Sequence, residues 1–104
     1  MQFLVIAYDG TDEQANDRRM AARPAHIDGA GLLKESGHII AGGAILDDED
    51  QMIGSTLYVD FDSRQALDHW LENDPYVTGG VWQDISVKPI RLAINPTSKS
   101  AAKV

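Results

Sequence analysis

The chain has 104 residues, 43% hydrophobic and 24% charged, which is the composition of one ordinary globular domain with a single hydrophobic core. Its formal net charge of −7 repels phosphate backbones and anionic lipid, so we expect no nucleic-acid partner and no membrane partner. It has no cysteine, which excludes disulfides, thiol nucleophiles and thiolate metal sites. The first ten residues lack the basic segment and the long apolar stretch of a secretory signal, so we expect a cytoplasmic protein.

The first strand is predicted over residues 2–8, where β-branched and aromatic side chains run up to the turn signal Asp9-Gly10. Both alternating sets of side chains in this strand are apolar. A strand of that kind is covered on both faces of its sheet.

A helical segment follows over residues 13–36, and Pro24 interrupts it. Because proline lacks a backbone N–H and is favoured at the first position of a helix, we expect a break or a fresh start near Pro24. Beyond it, helical spacing places His26, Ala30 and Leu33 on one face. Gly37 is expected to end the helix as a left-handed cap.

The remaining elements are two strands, a second helix and a last strand. The strand over residues 38–46 contains Gly42-Gly43, which indicates either a bulge or a place where a ligand approaches the backbone. The strand over residues 52–61 alternates cleanly between apolar and polar side chains. Asp62 or Ser63 is expected to cap the second helix. Asn73-Asp74-Pro75 is expected to stop it, and the last strand covers residues 81–90.

This order of elements predicts an α+β fold, the ferredoxin-like βαββαβ arrangement, in which a four-stranded antiparallel sheet carries both helices on one face. Residues 1–94 form this domain, and residues 95–104, which are small and polar, are predicted to be a flexible tail. Helices on one side leave the second apolar face of the first strand uncovered. A second copy of the sheet would cover it, so we expect a homodimer with the sheets face to face.

His26 is the histidine of most interest, because it lies on the apolar face of the first main helix. A general acid or base is one interpretation, since imidazole titrates near neutral pH. A core histidine with satisfied ring nitrogens is the other, and position alone leaves both open. His38 and His69 are expected to be solvated or structural. The histidine spacing gives no reason to propose a bound metal.

Asp74 precedes proline at the exit of the second helix, where a carboxylate is most often a turn residue. The negative end of a helix dipole is nevertheless an unfavourable place for an anion. The loss of helix stability that this position implies has two interpretations. Asp74 is either a functional residue or a surface charge that the fold tolerates.

Three arginines, Arg18, Arg19 and Arg23, form the one basic cluster of this acidic chain. They either form a solvated face opposite nearby carboxylates or hold an anionic group of a substrate, which guanidinium binds well.

The chain resembles the YCII family from about residue 2 to residue 91. The motifs that carry the resemblance are Arg23-Pro24-x-His26, the glycine-rich second strand, Asp74-Pro75-Tyr76, Gly80-Val81 and Val87-Lys88-Pro89. The resemblance implies a dimeric α/β barrel of ferredoxin-like subunits. It also implies an active site built on a His–Asp pair, which corresponds here to His26 and Asp74.

From this resemblance we expect an enzyme that needs no cofactor and performs acid/base chemistry on a small anionic or aromatic metabolite. His26 would be the base and Asp74 its orienting partner, with Arg19 or Arg23 binding a substrate carboxylate and Tyr76 forming a wall of the pocket. Two alternatives remain open, a non-catalytic module that binds a small ligand and a dimeric assembly module. Family resemblance is better support for the fold than for any reaction.

Overall fold

A computed structural model describes residues 1–94, and the predicted tail at residues 95–104 lies outside this range. The elements are, in chain order, β1 Gln2–Asp9, α1 Ala15–Glu35, β2 Ile39–Leu46, β3 Met52–Asp60, α2 Arg64–Asn73, α3 Pro75–Thr78 and β4 Trp82–Ile90. The strands form one antiparallel sheet in the order β2-β3-β1-β4. The predicted α+β ferredoxin-like fold is therefore confirmed.

The inner face of the sheet, on which α1 and α2 pack, changes from large to small side chains along its length. At one end Phe3, Val59 and Ile39 lie side by side on β1, β3 and β2 and are buried in the core. Near the other end, Ala7, Ser55 and Ala44 lie side by side on the same three strands. Because these three side chains are small, they leave room between the sheet and α1, and this is where the candidate site lies.

The outer face of the sheet carries the other side chains of β1. Leu4 and Ile6 are partly buried and Tyr8 is exposed. Tyr58 lies opposite Leu4 on β3 and is about one-third exposed. In the described part of the chain, α1 and α2 both lie on the inner face, as predicted.

Helix α1 differs from the prediction, because it runs unbroken from Ala15 to Glu35 with Pro24 inside it. The expected break at Pro24 was wrong. Proline removes one backbone hydrogen bond, but Arg19 before it and His26 after it are both buried in fixed contacts, and these hold the helix together across Pro24.

The end of α1 follows the prediction. Gly37 has a φ of 84°, in the left-handed region that favours glycine. The N–H of His38 donates to the carbonyl of Leu33, and that of Gly37 donates to the carbonyl of Lys34. These two bonds are the Schellman motif, which confirms the predicted cap.

The glycine pair of β2 does not form a bulge, since the shifts in strand register lie at Ile39/Ala41 and at Ile45/Leu46. A Cβ atom on Gly42 would overlap the buried side chain of Leu57. Glycine at this position therefore lets a core leucine lie directly against the backbone of β2.

Helix α2 begins as predicted, with the Ser63 side chain accepting a hydrogen bond from the Ala66 N–H at 3.0 Å. The short helix α3 was missed, although Asp74 followed by Pro75 is a typical start for one. None of the helices in residues 1–94 has the combination of length and apolar character needed to cross a bilayer.

Candidate functional site

His26 and Asp74, the two residues predicted to form a pair, are in direct contact. Nδ1–H of His26 donates to Oδ2 of Asp74 at 2.7 Å. Both residues are buried, with 5% and 3% of their surface exposed. A carboxylate on Nδ1 fixes the neutral imidazole as the Nδ1–H tautomer, so the lone pair of the ring lies on Nε2.

Asp74 is held in place by its own backbone position. It joins α2 to α3 and caps the first turn of α3, where its Oδ2 also accepts the N–H of Tyr76 at 3.0 Å. The unfavourable position at the end of α2 is thus offset by a favourable one at the start of α3. Two donors on one oxygen fix the carboxylate towards His26.

Aromatic side chains fix the plane of the His26 ring. Tyr76 stacks on it with ring centres 3.8 Å apart and planes 10° apart. Trp82 meets it edge-on, with ring centres 5.4 Å apart. Burial raises the pKa of the Tyr76 phenol, so this wall of the site stays neutral over the ordinary pH range. Nε2 of His26 has no hydrogen-bond partner in residues 1–94.

A second buried polar group lies beside this pair. Nη1 of Arg19 donates to both carboxylate oxygens of Asp9, at 2.9 and 3.0 Å, and Nη2 donates to Oγ of Ser55 at 3.0 Å. The same Oγ accepts the indole N–H of Trp82 at 3.1 Å. The guanidinium of Arg19 lies over the Tyr76 ring, 4.9 Å from its centre, which joins this network to the His26 stack.

A cavity of about 660 Å³ lies between α1 and the β2–β3 side of the sheet. His26, Ser55 and Tyr76 line it, as do the three cationic residues of α1 in this region, Arg19, Arg23 and Lys34. The rest of its lining consists of apolar side chains and the glycine-containing stretch of β2. No aspartate or glutamate of residues 1–94 lines it, in a chain that carries 16 acidic side chains.

The structure brings together all five residues predicted for the site. His26, Arg19, Arg23 and Tyr76 line the cavity, and Asp74 lies behind His26. Arg23 is exposed and has no ion-pair partner in the described part of the chain. Arg19, in contrast, is ion-paired with Asp9 and hydrogen-bonded to Ser55.

The other two histidines lie elsewhere. His38 contacts the Asp60 carbonyl at 2.9 Å and stacks on Phe61, and His69 is exposed on α2. Within residues 1–94, no three metal-ligating side chains come together.

Sequence reasoning missed Asp9, Ser55 and Lys34. Asp9 was interpreted only as a turn residue, and nothing in an alternating strand distinguishes Ser55. Lys34 lies eleven residues after Arg23, three helical turns along the same face, so a continuous α1 would have predicted its position.

Arg18 points away from the site. It pairs with Asp12 through two hydrogen bonds of 2.8 and 2.6 Å, and its Nε donates to the Gly80 carbonyl at 3.3 Å. The guanidinium lowers the pKa of Asp12 to about 2. Through these bonds Arg18 links the loop after β1, at Asp12, to the loop before β4, at Gly80.

Comparison with known proteins gives one family and several relatives. The model of the YCII-related domain matches residues 1–91. Protein YciI of Escherichia coli O6:H1 is 33% identical over 97 residues, which cover 88% of this chain and 97% of that protein.

Two solved structures are similar as well. The 5-chloro-2-hydroxyhydroquinone dehydrochlorinase of Burkholderia phenoliruptrix, in complex with 2,5-dihydroxybenzoquinone, has a TM-score of 0.75 and 28% identity over 88% of this chain and 94% of its own. A dimeric ferredoxin-like protein of unknown function from Jannaschia has a TM-score of 0.50 and 19% identity, over 86% of this chain and 97% of its own.

Proposed function

This chain belongs to the YCII-related domain family, and on that basis we propose that it is an enzyme of acid/base chemistry acting on a small anionic aromatic metabolite. The observation that carries the proposal is the 2.7 Å contact between His26 Nδ1 and Asp74 Oδ2. It lies beside a cavity that cationic side chains line and that no acidic side chain of residues 1–94 lines. In this proposal His26 is the base and Asp74 its orienting partner.

The geometry suits proton transfer at one atom. Asp74 holds the proton of the neutral ring on Nδ1, so Nε2 accepts a proton from a carbon acid or a phenol. The carboxylate then stabilises the imidazolium that forms, and Nε2–H returns the proton to the product or to a leaving group. Tyr76 and Trp82 keep the ring in one orientation throughout, so little reorganisation is needed.

The charge distribution favours an anionic ligand. Arg23 and Lys34 line the cavity and have no ion-pair partner in residues 1–94. Among residues 1–94, an anion in this space meets these two unpaired cations and no carboxylate, although the protein as a whole is negative. The apolar remainder of the lining, with the ring of Tyr76, suits an aromatic body.

The relative of known activity suggests a first compound to try. A dehydrochlorination removes a proton and a chloride ion from its substrate. A base is needed to accept the proton, and an anion-binding cavity would hold the negatively charged substrate. We therefore propose hydroxylated aromatic compounds as the substrate class, with 5-chloro-2-hydroxyhydroquinone as the first member to be assayed.

The decisive experiment measures chloride release from 5-chloro-2-hydroxyhydroquinone by the wild type, His26→Ala, Asp74→Asn and His69→Ala. Loss of a general base lowers turnover by about 10²–10⁴-fold, so His26→Ala should fall by this amount. Asp74→Asn should fall by a smaller factor. His69→Ala, a change at an exposed histidine on α2, should keep wild-type turnover.

Turnover that survives His26→Ala would refute the proposed role of His26. If no hydroxylated aromatic in a panel turns over, binding of 2,5-dihydroxybenzoquinone separates the alternatives. Binding that is weakened by His26→Ala would then identify a ligand-binding module, and no binding at all would refute the substrate class.

We also propose that the chain forms a homodimer through the outer face of its sheet. Leu4, Ile6, Tyr8 and Tyr58 form an apolar area there that no described helix covers. Sedimentation equilibrium of the wild type should give twice the mass of one chain, and Ile6→Glu should give a monomer. Leu32→Glu, at an exposed position on α1, is the matched control and should stay dimeric. A monomeric wild type at micromolar concentration would refute the dimer.

A further inference from the structure

Ser55 occupies the floor of the cavity in the row of small side chains. It lies on the inner face of β3, between Ala7 of β1 and Ala44 of β2. The residue is 4% exposed and lines the cavity. Because its neighbours in the sheet are alanines, the side chains beside it on β1 and β2 leave the hydroxyl at the edge of the cavity.

The Ser55 hydroxyl receives two hydrogen bonds from groups that can only donate. Arg19 Nη2 lies 3.0 Å and Trp82 Nε1 lies 3.1 Å from Oγ. Guanidinium and indole N–H groups have no acceptor capacity, so both lone pairs of the hydroxyl are occupied. The hydroxyl proton is what remains, and it has no acceptor among residues 1–94.

A buried donor without an acceptor is costly, and most such groups in proteins have a partner. The cavity is the space from which that partner can come. The positive guanidinium on Oγ also polarises the O–H bond, which makes it a stronger donor, most of all towards an anionic oxygen.

We infer that Ser55 is a ligand-binding residue whose hydroxyl group donates a hydrogen bond to an oxyanion bound in the cavity. The inference rests on the proposed function, because it supplies the group that the reaction needs opposite His26. When Nε2 of His26 removes a proton from a C–H or O–H bond, the bonding electron pair moves into the ligand and charge collects on an oxygen. Ser55 would stabilise that charge, and return of the proton from Nε2 reverses the step.

Ser55 belongs to the same unit as His26. Trp82 donates to Ser55 and contacts the His26 ring, and Arg19 donates to Ser55 and covers the Tyr76 ring that stacks on His26. Two independent chains of contact therefore fix the serine hydroxyl relative to the imidazole, which positioning of a base against an oxyanion donor requires.

The test uses NMR titration of the whole protein with two oxyanions, formate and 4-nitrophenolate, with chloride as the control for ionic strength. The indole N–H of Trp82 reports directly on Oγ of Ser55, and Trp70→Phe distinguishes it from the other tryptophan. Both oxyanions should shift this signal saturably in the wild type, in Ser55→Thr and in the control Ser36→Ala, at an exposed position that follows α1.

Ser55→Ala and Ser55→Cys should bind both oxyanions about tenfold or more weakly, the loss expected for a hydrogen bond to a charged group. The cysteine variant fills the same space with a weak donor, so it tests the hydroxyl even if the alanine variant is unstable. Wild-type affinity in both variants would overturn the inference. So would a wild-type Trp82 signal that responds to neither oxyanion.

The proposed reaction and the proposed role of Ser55 can be refuted independently of each other. Turnover that depends on His26, together with unchanged oxyanion binding in Ser55→Ala, would overturn the role of Ser55 alone. Oxyanion binding that depends on Ser55, with no turnover of any hydroxylated aromatic, would overturn the proposed reaction alone.

Discussion

Arg19 and Asp9 form an ion pair that is almost completely withdrawn from solvent. Nη1 of Arg19 contacts both oxygens of the carboxylate, at 2.9 and 3.0 Å, and only 3% and 4% of the two side chains is exposed. The pair fastens the end of β1 to the first half of α1. It also orients the guanidinium so that Nη2 reaches Ser55.

Removing one partner of this pair should be strongly destabilising. Asp9→Ala leaves the charge of Arg19 buried without compensation, and such changes cost about 3–5 kcal/mol. Urea denaturation measures the loss in the free energy of unfolding. Asp68→Ala breaks the exposed pair with Arg64 on α2 and should cost only a small fraction of that. Equal losses in the two variants would show that the Arg19–Asp9 pair is solvated.

The contact between His26 and Asp74 predicts one tautomer of the neutral ring. Long-range ¹H–¹⁵N spectra of the wild type, at a pH where His26 is neutral, should show a protonated Nδ1 and an unprotonated Nε2. Asp74→Ala should shift the ring towards the Nε2–H form. Asp74 also caps α3, so Ser63→Ala, which removes the cap of α2, is the control and should leave the tautomer unchanged. A wild-type ring protonated on Nε2 would contradict the proposed base.

The environments of Arg18, Arg19 and Arg23 could be predicted only in part from the sequence. Arg18 pairs with Asp12, as a solvated face predicts, whereas Arg19 is buried and Arg23 faces the cavity. The 100° rotation per residue separates Arg18 from Arg19, whereas Arg19 and Arg23 share one face and line the cavity as a buried and an exposed residue. The predicted break at Pro24 removed that information, because the orientation of Arg19 relative to His26 is fixed only if α1 is continuous.

The sheet is a second place where the sequence predicts part of the structure and leaves part of it open. The alternation predicted for β3 agrees with the structure, in which the apolar Leu57 and Val59 are buried. It does not reveal that Ser55 lies between two alanines of neighbouring strands, because that depends on the register between strands far apart in sequence. The pairing of His26 with Asp74 was available only through family resemblance, since 48 residues separate them.

Tyr76 should make stability depend on pH on the alkaline side. Burial raises the pKa of its phenol above the ordinary value of 10.0. The unfolded chain therefore loses this proton first, so the contribution to stability is complete below pH 10 and declines as the pH rises towards the folded pKa. Tyr76→Phe should show a shallower decline in urea denaturation between pH 9 and 11. A difference absorbance titration of wild type minus Tyr76→Phe that has its midpoint at or below 10 would contradict this.

The two glycines of β2 offer a matched pair of variants. Gly42→Ala forces the new methyl group against the buried side chain of Leu57, and overpacking of this kind costs about 1–3 kcal/mol. Gly43→Ala meets no atom of residues 1–94 within 4 Å and should be tolerated or slightly stabilising. Both substitutions restrict the unfolded chain equally, so the difference between them in urea denaturation measures the crowding of the new methyl group by Leu57 and the Thr56 carbonyl. Equal stabilities would contradict this cost and would mean that the Leu57 side chain moves away from β2 without a measurable loss of stability.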